Sequence, residues 1–169
     1  MVQKWSDKFA GLIMDAPFLG VPDFVPSWQV STATFLGKLP IFQKIPIAKI
    51  DPNLLSHDEQ FRTRYEQDPL VFHGKSTAKF ATMSLKAQIE AEGAMKEFAT
   101  PLLALHGTGD MICPVSATKR FYEMAGSSDK TIKLFIEGFH VLRLESHNGI
   151  KDVYYNVVTS WLVSHSSNS

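Results

Sequence analysis

Two short apolar segments, each followed by a glycine turn that ends on a reactive side chain, constrain this chain more than any other feature. The first is TPLLALHGTGD at residues 100–110, and the second is KTIKLFIEGFH at residues 130–140. A continuous apolar run such as residues 102–105 is typical of a strand covered on both faces in a parallel sheet. The glycines allow sharp turns, which would place Asp110 and His140 just beyond two strand ends. Because reacting groups collect at the carboxyl ends of parallel strands, we expect these two side chains to meet.

The chain between residues 21 and 98 has the pattern of helices and loops rather than of strands. Ser27 is predicted to cap a helix whose apolar residues recur at helical spacing. Ser56, with Glu59 three residues later, matches a capping box and predicts a second helix. A third helix, at about residues 76–92, carries apolar residues on more than one side. Such a helix is either buried or covers something apolar.

Strands and helices alternate in the rest of the chain, which predicts an α/β fold class with parallel strands. A short buried strand is expected at residues 8–16, before Pro17. A helix closed by Gly126 is predicted between the two glycine-turn motifs. Asn148 is available to cap a final helix with an apolar stripe over residues 150–162, and the polar end from Ser164 is expected to fray.

Charge and cysteine content exclude several classes of function. Lys+Arg and Asp+Glu both number 17, and no basic block occurs, so nucleic acid is not an expected partner. Cys113 is the single cysteine, which rules out an internal disulfide and favours a reducing, cytoplasmic location. No apolar run is long enough to cross a membrane, and the charged residues 1–8 are not expected to act as a signal peptide. The histidines are too scattered for a metal motif, and no cofactor fingerprint is present.

The Asp–His pair is the strongest candidate for chemistry. An Asp in such a turn often only caps the next helix, but a His at the next strand end favours the last two members of a Ser…Asp…His triad. His106 is predicted to pack near the turn, and Cys113 to act as a small packing residue. The other histidines have no predicted chemistry: His57 and His165 are expected at the surface, and His73 and His147 are given no role.

Several segments resemble the monoacylglycerol lipase group of α/β-hydrolases, over about residues 8–162. They are FAGLIMDAP at 9–17, YEQDPL at 65–70, LHGTGD at 105–110, DKTIK at 129–133 and EGFHVL at 137–142. The resemblance implies the C-terminal part of an α/β-hydrolase fold, with core residues 1–20 and 99–169 and a helical cap insertion at residues 21–98. It also implies that Asp110 orients a catalytic His and that His140 is that general base.

The resemblance further implies a serine hydrolase that cleaves acylglycerols or similar lipid esters without a metal or organic cofactor. Its cap would cover an acyl-chain tunnel and could contact a membrane peripherally. The motif of the nucleophile is missing, because no G-x-S-x-G occurs in the 169 residues, and GKSTA and GSSD lack the second glycine. The nucleophile would therefore lie upstream of residue 1, and residues 1–7 would continue an element that precedes them.

Two alternatives remain open at this stage. The chain could be a catalytically inactive truncated product or a pseudoenzyme that binds lipid or protein through its cap. It could also belong to a lysophospholipase of the same fold.

Whatever its function, the chain by itself would have a bare edge on its first strand, at Leu12, Ile13 and Met14, with cap aromatic residues partly exposed. We therefore expect the isolated chain to aggregate.

Overall fold

The computed structural model describes residues 9–22 and 25–166, so the predicted features at residues 1–8 lie outside the described residues. The elements alternate as an α/β chain, with a mostly helical stretch between the first strand and the rest. The strands are β1 (Leu12–Asp15), β2 (Pro46–Ala48), β3 (Ser76–Thr77), β4 (Leu102–Gly107) and β5 (Lys130–Phe135). The helices are α1 (Ser27–Lys38), α2 (Glu59–Gln67), α3 (Ala78–Ala94), α4 (Val115–Met124) and α5 (Ile150–Ser166).

The larger sheet has three parallel strands in the order β1–β4–β5. Its register pairs Leu12 of β1 with Leu102 of β4, and Leu102 with Lys130 of β5. All six residues of the central strand β4 are buried, as its continuous apolar run predicts. β1 and β5 are the edge strands of the described sheet, and most of their residues are only half-buried or exposed. The predicted parallel α/β sheet is therefore confirmed.

Helices cover both faces of β4. Leu103 and Leu105 face a cluster that contains Tyr154 of α5, while Leu102 faces a second cluster with Phe121 of α4. This division follows from the alternation of side chains along a strand. Full burial of a leucine is worth about 1.5–3 kcal/mol relative to exposure, so β4 is the centre of the hydrophobic core.

The segment between β1 and β4 is mostly helical, as predicted. α1 packs on α3, and a Cβ on Gly37 would lie 2.0 Å from the Thr82 hydroxyl, so this contact requires glycine. The small antiparallel β2–β3 sheet was not predicted from the sequence, because its strands are very short and β2 begins at a proline. Trp28 and Phe35 of α1 are 66% and 63% exposed. Over residues 9–22 and 25–166, no helix is long and apolar enough to cross a membrane.

Both predicted serine caps are wrong. α1 begins at Ser27 itself, so Ser27 lies inside the helix rather than before it. The N-cap of α2 is Asp58, whose carboxylate accepts a 2.7 Å hydrogen bond from the Phe61 N–H. Ser56 instead donates to the carbonyl of Leu144, at 2.9 Å. Asp58 is the N-cap because it directly precedes the first helical turn, whereas the Ser56 hydroxyl bonds to a residue that is distant in the sequence.

The predicted end of α4 at Gly126 is confirmed, because Ala125, in an extended conformation, is the C-cap and Gly126 follows it. Gly126 also serves a close approach, since a Cβ there would lie 2.2 Å from the carbonyl oxygen of Lys96. The predicted cap Asn148 is wrong. Asn148 does not precede α5 as a cap: it lies in a 3₁₀ turn with a φ of 51°.

The ends of β5 and α5 differ from the predicted ends by a few residues. β5 ends at Phe135, so Ile136 belongs to the following turn and is exposed. α5 continues to Ser166, so it does not fray at Ser164, and the rest of the predicted frayed end lies outside the described residues. Its last turn is held by His165, which is half-buried rather than at the surface as predicted, because its ring stacks on Trp161 with centroids 3.9 Å apart.

Candidate active site

The turn after β4 and the turn after β5 are joined by hydrogen bonds. Thr108 donates its N–H to the carbonyl of Phe135 at 2.9 Å, and Gly109 donates to the carbonyl of Gly138 at 3.0 Å. In return, the N–H of Glu137 donates to the Thr108 hydroxyl oxygen at 2.8 Å. The two strand ends therefore meet, as the parallel sheet predicted.

This close approach depends on the backbone at two positions. A Cβ on Gly107 would lie 2.1 Å from the carbonyl oxygen of Gly138, so any larger residue would push the two turns apart. Glu137 has a φ of 59°, in the left-handed region that residues other than glycine seldom adopt. The turn after β5 is thus held in an uncommon conformation beside the turn after β4.

Asp110 and His140 form a hydrogen-bonded pair at these strand ends. Nδ1 of His140 lies 2.9 Å from Oδ2 of Asp110. The other carboxylate oxygen, Oδ1, accepts from the N–H groups of Ile112 at 2.8 Å and Cys113 at 2.9 Å. The Asp110 side chain is 0% exposed and that of His140 is 25% exposed. Within the described residues Nε2 of His140 makes no hydrogen bond, so this nitrogen is available to a reactant.

His106 is completely buried and contacts the carboxylate of Asp110. Its Nε2 lies 3.0 Å from the carbonyl oxygen of Cys113 and 3.2 Å from Oδ2 of Asp110. Both of these partners are acceptors, so Nε2 carries the proton. Nδ1, at 2.8 Å, then accepts from the Thr118 hydroxyl. The prediction that His106 packs near the turn is confirmed, but its contact with Asp110 was not predicted.

The surroundings of Asp110 favour its ionised form. Burial alone would raise the pKa of this carboxyl, but hydrogen bonds from His106, His140 and the Cys113 N–H outweigh burial and lower the pKa below its ordinary value of 3.8. The paired His140 therefore faces a carboxylate rather than a carboxylic acid. Such a carboxylate can fix the tautomer of an imidazole and stabilise its protonated form.

Cys113 lies beside the pair, and its thiol stays protonated. Ligand atoms of Asp110, Cys113 and His140 all lie within 4.8 Å of one another, a spacing that could in principle hold a metal ion. Burial, together with the nearby Asp110 charge, raises the pKa of Cys113 to about 12. Cys113 is buried, as expected of a packing residue.

Glu145, a fully buried carboxylate near His140, was not predicted from the sequence. It accepts hydrogen bonds from the N–H groups of Phe139, His57 and His147. His57 was predicted at the surface, but it is half-buried, with its ring centroid 3.7 Å from that of Phe139. Nothing in the local sequence distinguishes Glu145 from an exposed acid, because His57 is 88 residues away along the chain.

Two hollows in the surface lie away from the Asp–His pair. One, of about 380 Å³, is lined by Ile50, Tyr65 and Phe72 among others, in the predicted cap segment. The second, of about 470 Å³, lies between the sheet and α5, beside Leu103 and Trp161. Neither is lined by Asp110 or His140, so neither serves the candidate site.

A parallel sheet with helices on both faces, and an Asp–His pair at adjacent strand ends, define the chain as part of an α/β-hydrolase. The chain belongs to the Hydrolase_4 family, described as serine aminopeptidase S33, whose model matches residues 1–147. The solved structures to which it is similar include α/β-hydrolases that are monoacylglycerol lipases.

Known relatives agree with this family. The chain is 26% identical to a monoacylglycerol lipase of Mycolicibacterium smegmatis, covering 96% of this chain and 56% of that protein. It is 30% identical to the monoglyceride lipase of Rattus norvegicus, covering 93% and 51%. The crystal structure of the Paleococcus ferrophilus monoacylglycerol lipase matches with a TM-score of 0.84 at 27% identity, covering 97% and 62%. The resemblance to the monoacylglycerol lipase group is thus confirmed, and the chain spans about half the length of these two relatives.

Proposed function

We propose that this chain carries the acid–base half of a serine ester hydrolase of the monoacylglycerol lipase type. The observation that supports this most directly is the 2.9 Å contact between Nδ1 of His140 and Oδ2 of Asp110, with Nε2 turned toward no other described group. We propose Asp110 as the orienting carboxylate and His140 as the general base. No G-x-S-x-G occurs in the 169 residues, so in this proposal a segment outside this sequence supplies the nucleophilic serine.

In the complete site, Nε2 of His140 would take the proton of the serine hydroxyl as its oxygen attacks the ester carbonyl carbon. Asp110 would hold the Nδ1–H of His140 and stabilise the imidazolium that forms. His140 would then give the proton to the leaving alcohol oxygen as the ester C–O bond breaks. A water molecule, deprotonated by His140, would finally hydrolyse the acyl-enzyme and restore the serine.

We also propose that residues 21–98 form a cap on the core and that the substrate is an acylglycerol or a similar lipid ester. The names of the relatives support this substrate class. Exposed aromatic residues on α1, Trp28 and Phe35, support peripheral contact of the cap with a membrane surface. A cytoplasmic location with such peripheral contact is part of the same proposal.

The test compares the 169-residue chain with a fusion that completes the fold. In the fusion, the part of the P. ferrophilus lipase that this chain does not match is joined ahead of residue 1. Both proteins are incubated with a short-chain nitrophenyl ester, a monoacylglycerol, a lysophospholipid and a fluorophosphonate probe. We expect the chain alone to show no turnover and no labelling, because G-x-S-x-G, the motif that positions the nucleophile in this fold, does not occur in its sequence. The fusion should hydrolyse the monoacylglycerol and be labelled on one serine.

Each alternative has its own outcome. Turnover with labelling of a specific serine in the chain alone would show that the nucleophile lies within these residues. A fusion that is monomeric and unfolds cooperatively yet has no turnover would contradict the enzymatic proposal and favour a binding module. Faster hydrolysis of the lysophospholipid than of the monoacylglycerol would favour a lysophospholipase.

A further inference from the structure

Glu145 is a buried carboxylate surrounded by backbone donors. Its side chain is 0% exposed. Oε1 accepts from the N–H groups of His57 and His147, both at 3.1 Å, and Oε2 accepts from the N–H of Phe139 at 3.2 Å. Among the described residues, no lysine or arginine forms an ion pair with it. Burial of a charge is costly unless hydrogen bonds satisfy it, so these three N–H groups stabilise the carboxylate.

The three donors come from separate parts of the chain. Phe139 directly precedes His140, His147 begins the turn before α5, and His57 precedes α2 in the proposed cap. The Nδ1 atom of His57 also lies 3.1 Å from Oε2 of Glu145, although it forms no hydrogen bond there. One carboxylate therefore joins the proposed cap to the segment that carries His140.

Further contacts fix this segment on the other side of His140. The Val141 N–H donates to the carbonyl of Leu55 at 2.8 Å, and the Ser56 hydroxyl donates to the carbonyl of Leu144 at 2.9 Å. Residues 55–57 thus run along the His140 segment and bond to it at three points, of which Glu145 is the charged one. Ser56 and Glu145 are both completely buried, so water does not compete for these bonds.

We propose that Glu145 is a positioning residue for His140, and that it does so by holding residues 55–57 of the cap against the segment that carries the base. This inference rests on the proposed function, since it assumes that His140 is the general base. Glu145 contacts no reacting atom and acts only through the Phe139 N–H and the adjoining backbone. Catalysis is sensitive to displacements of about 1 Å, so loosening this segment should slow the reaction more than it weakens substrate binding.

The central variant is Glu145→Gln in the fusion. A glutamine keeps the volume but replaces one acceptor oxygen with an NH₂ group, which would face N–H donors that need an acceptor. Glu90→Gln is the matched control: it makes the same chemical change on α3, away from His140, where the Glu90 side chain is 67% exposed and pairs with Lys86 at 3.8 Å. Ser56→Ala is the second variant, because it removes the hydrogen bond to the carbonyl of Leu144 and leaves the Glu145 carboxylate in place.

Two readouts separate positioning from general stability. Hydrogen exchange followed by mass spectrometry compares residues 138–146 with strand β4, and steady-state kinetics separate kcat from KM. For Glu145→Gln we expect faster exchange in residues 138–146 with unchanged protection of β4. We also expect a fall in kcat of roughly 10- to 100-fold with little change in KM. Ser56→Ala should show the same pattern to a smaller extent, and Glu90→Gln should behave like the unmodified fusion.

Several outcomes would overturn the proposal. Exchange and kcat of Glu145→Gln that match those of Glu90→Gln would show that the buried carboxylate does not position His140. Equal loss of protection in β4 would show that Glu145 stabilises the whole fold instead. If Glu145→Gln does not fold, the same criteria apply to Ser56→Ala. Should the unmodified fusion lack activity, the proposed function fails, while the exchange data still decide whether Glu145 holds this segment.

Discussion

Nε2 of His106 lies 3.2 Å from Oδ2 of Asp110, the same oxygen that Nδ1 of His140 contacts at 2.9 Å. Asp110 is therefore held between two imidazoles, one fully buried and one partly exposed. The buried ring is locked by Thr118 on its other nitrogen, so it fixes the carboxylate, whereas the ring of His140 is the one that solvent can reach. This arrangement suggests that the orientation of Asp110 depends on the strand β4 that carries His106.

Replacing His106 should destabilise the fold. In His106→Phe, a Thr118 hydroxyl and a Cys113 carbonyl lose their partner in a site that water does not reach. An unsatisfied buried polar group costs about 1–3 kcal/mol, so we expect a loss of at least about 2 kcal/mol in the free energy of unfolding of the fusion. Thr118→Val removes one of these bonds and should cost about 1 kcal/mol. Equal stability of His106→Phe and the parent in urea denaturation would contradict this account.

The Asp–His pair should have the kinetic properties of a triad that has lost a member. In the active fusion, Asp110→Asn should lower kcat by about 10⁴-fold, because the imidazole is no longer held in the right tautomer. His140→Ala should abolish turnover while leaving the thermal transition almost unchanged, since this side chain is partly exposed. A near-normal kcat for Asp110→Asn would mean that another carboxylate orients His140.

Acid should remove the stabilisation that Asp110 provides. The pKa of Asp110 is lowered in the fold, because hydrogen bonds from His106 and His140 outweigh its burial. A group with a depressed pKa contributes stability above its unfolded pKa and loses it as the pH falls toward the folded pKa. The stability difference between the fusion and its Asp110→Asn variant should thus be constant above about pH 5 and shrink below about pH 4. Thermal unfolding across this pH range measures it.

Asp15 provides a control of opposite sign for that experiment. Burial is the main reason why the pKa of Asp15 is raised in the fold, against weaker opposing effects from Tyr154 and Arg143. A raised pKa contributes stability below the unfolded pKa, and this stability is lost as the pH rises through the folded pKa. Relative to Asp15→Asn, the parent should therefore gain stability on acidification. The same trend for both variants would argue against specific effects of the two carboxyl groups.

The 169-residue chain on its own should be prone to aggregation. In the described sheet β1 pairs with β4 on one side only, and unpaired apolar edges promote association. Trp28, Phe35 and Phe80 are also largely exposed. Several hundred Å² of such surface costs roughly several kcal/mol at about 25 cal/mol per Å², against a typical stability of about 5–15 kcal/mol. A monomeric elution peak together with a sharp thermal transition would show that this expectation is wrong.

The strand ends were predictable from the sequence because local signals specify them. The apolar run of β4 and the glycines that follow it predict that Asp110 lies in a turn, and this prediction does not depend on the rest of the chain. The alternation of elements then requires the turn after β5 to lie beside it, which brings His140 to Asp110. These inferences need only the periodicity of side chains and the parallel sheet rule.

The features missed around the candidate site depend on contacts between distant segments. Ser56 matches a capping box, yet its hydroxyl is drawn to Leu144, 88 residues along the chain, and Asp58 takes the cap. Glu145 is equally distant from His57, and only the docking of the two segments buries it. Local propensity is a weak prior where tertiary contacts compete for the same side chain, which explains why these roles were not predicted.

The parallel order β1–β4–β5 also bears on how the chain folds. Only α4 and its loops separate β4 from β5, whereas the whole helical insertion separates β1 from β4. Loop closure costs about 0.6 kcal/mol more for each doubling of length, so pairing β1 with β4 costs about 1 kcal/mol more entropy than pairing β4 with β5. The β4–α4–β5 unit should thus form early, with β1 joining after the transition state, an order that φ-value analysis can measure. Both turns that carry Asp110 and His140 adjoin this early unit, so a nascent chain can bring the pair together before its insertion has docked.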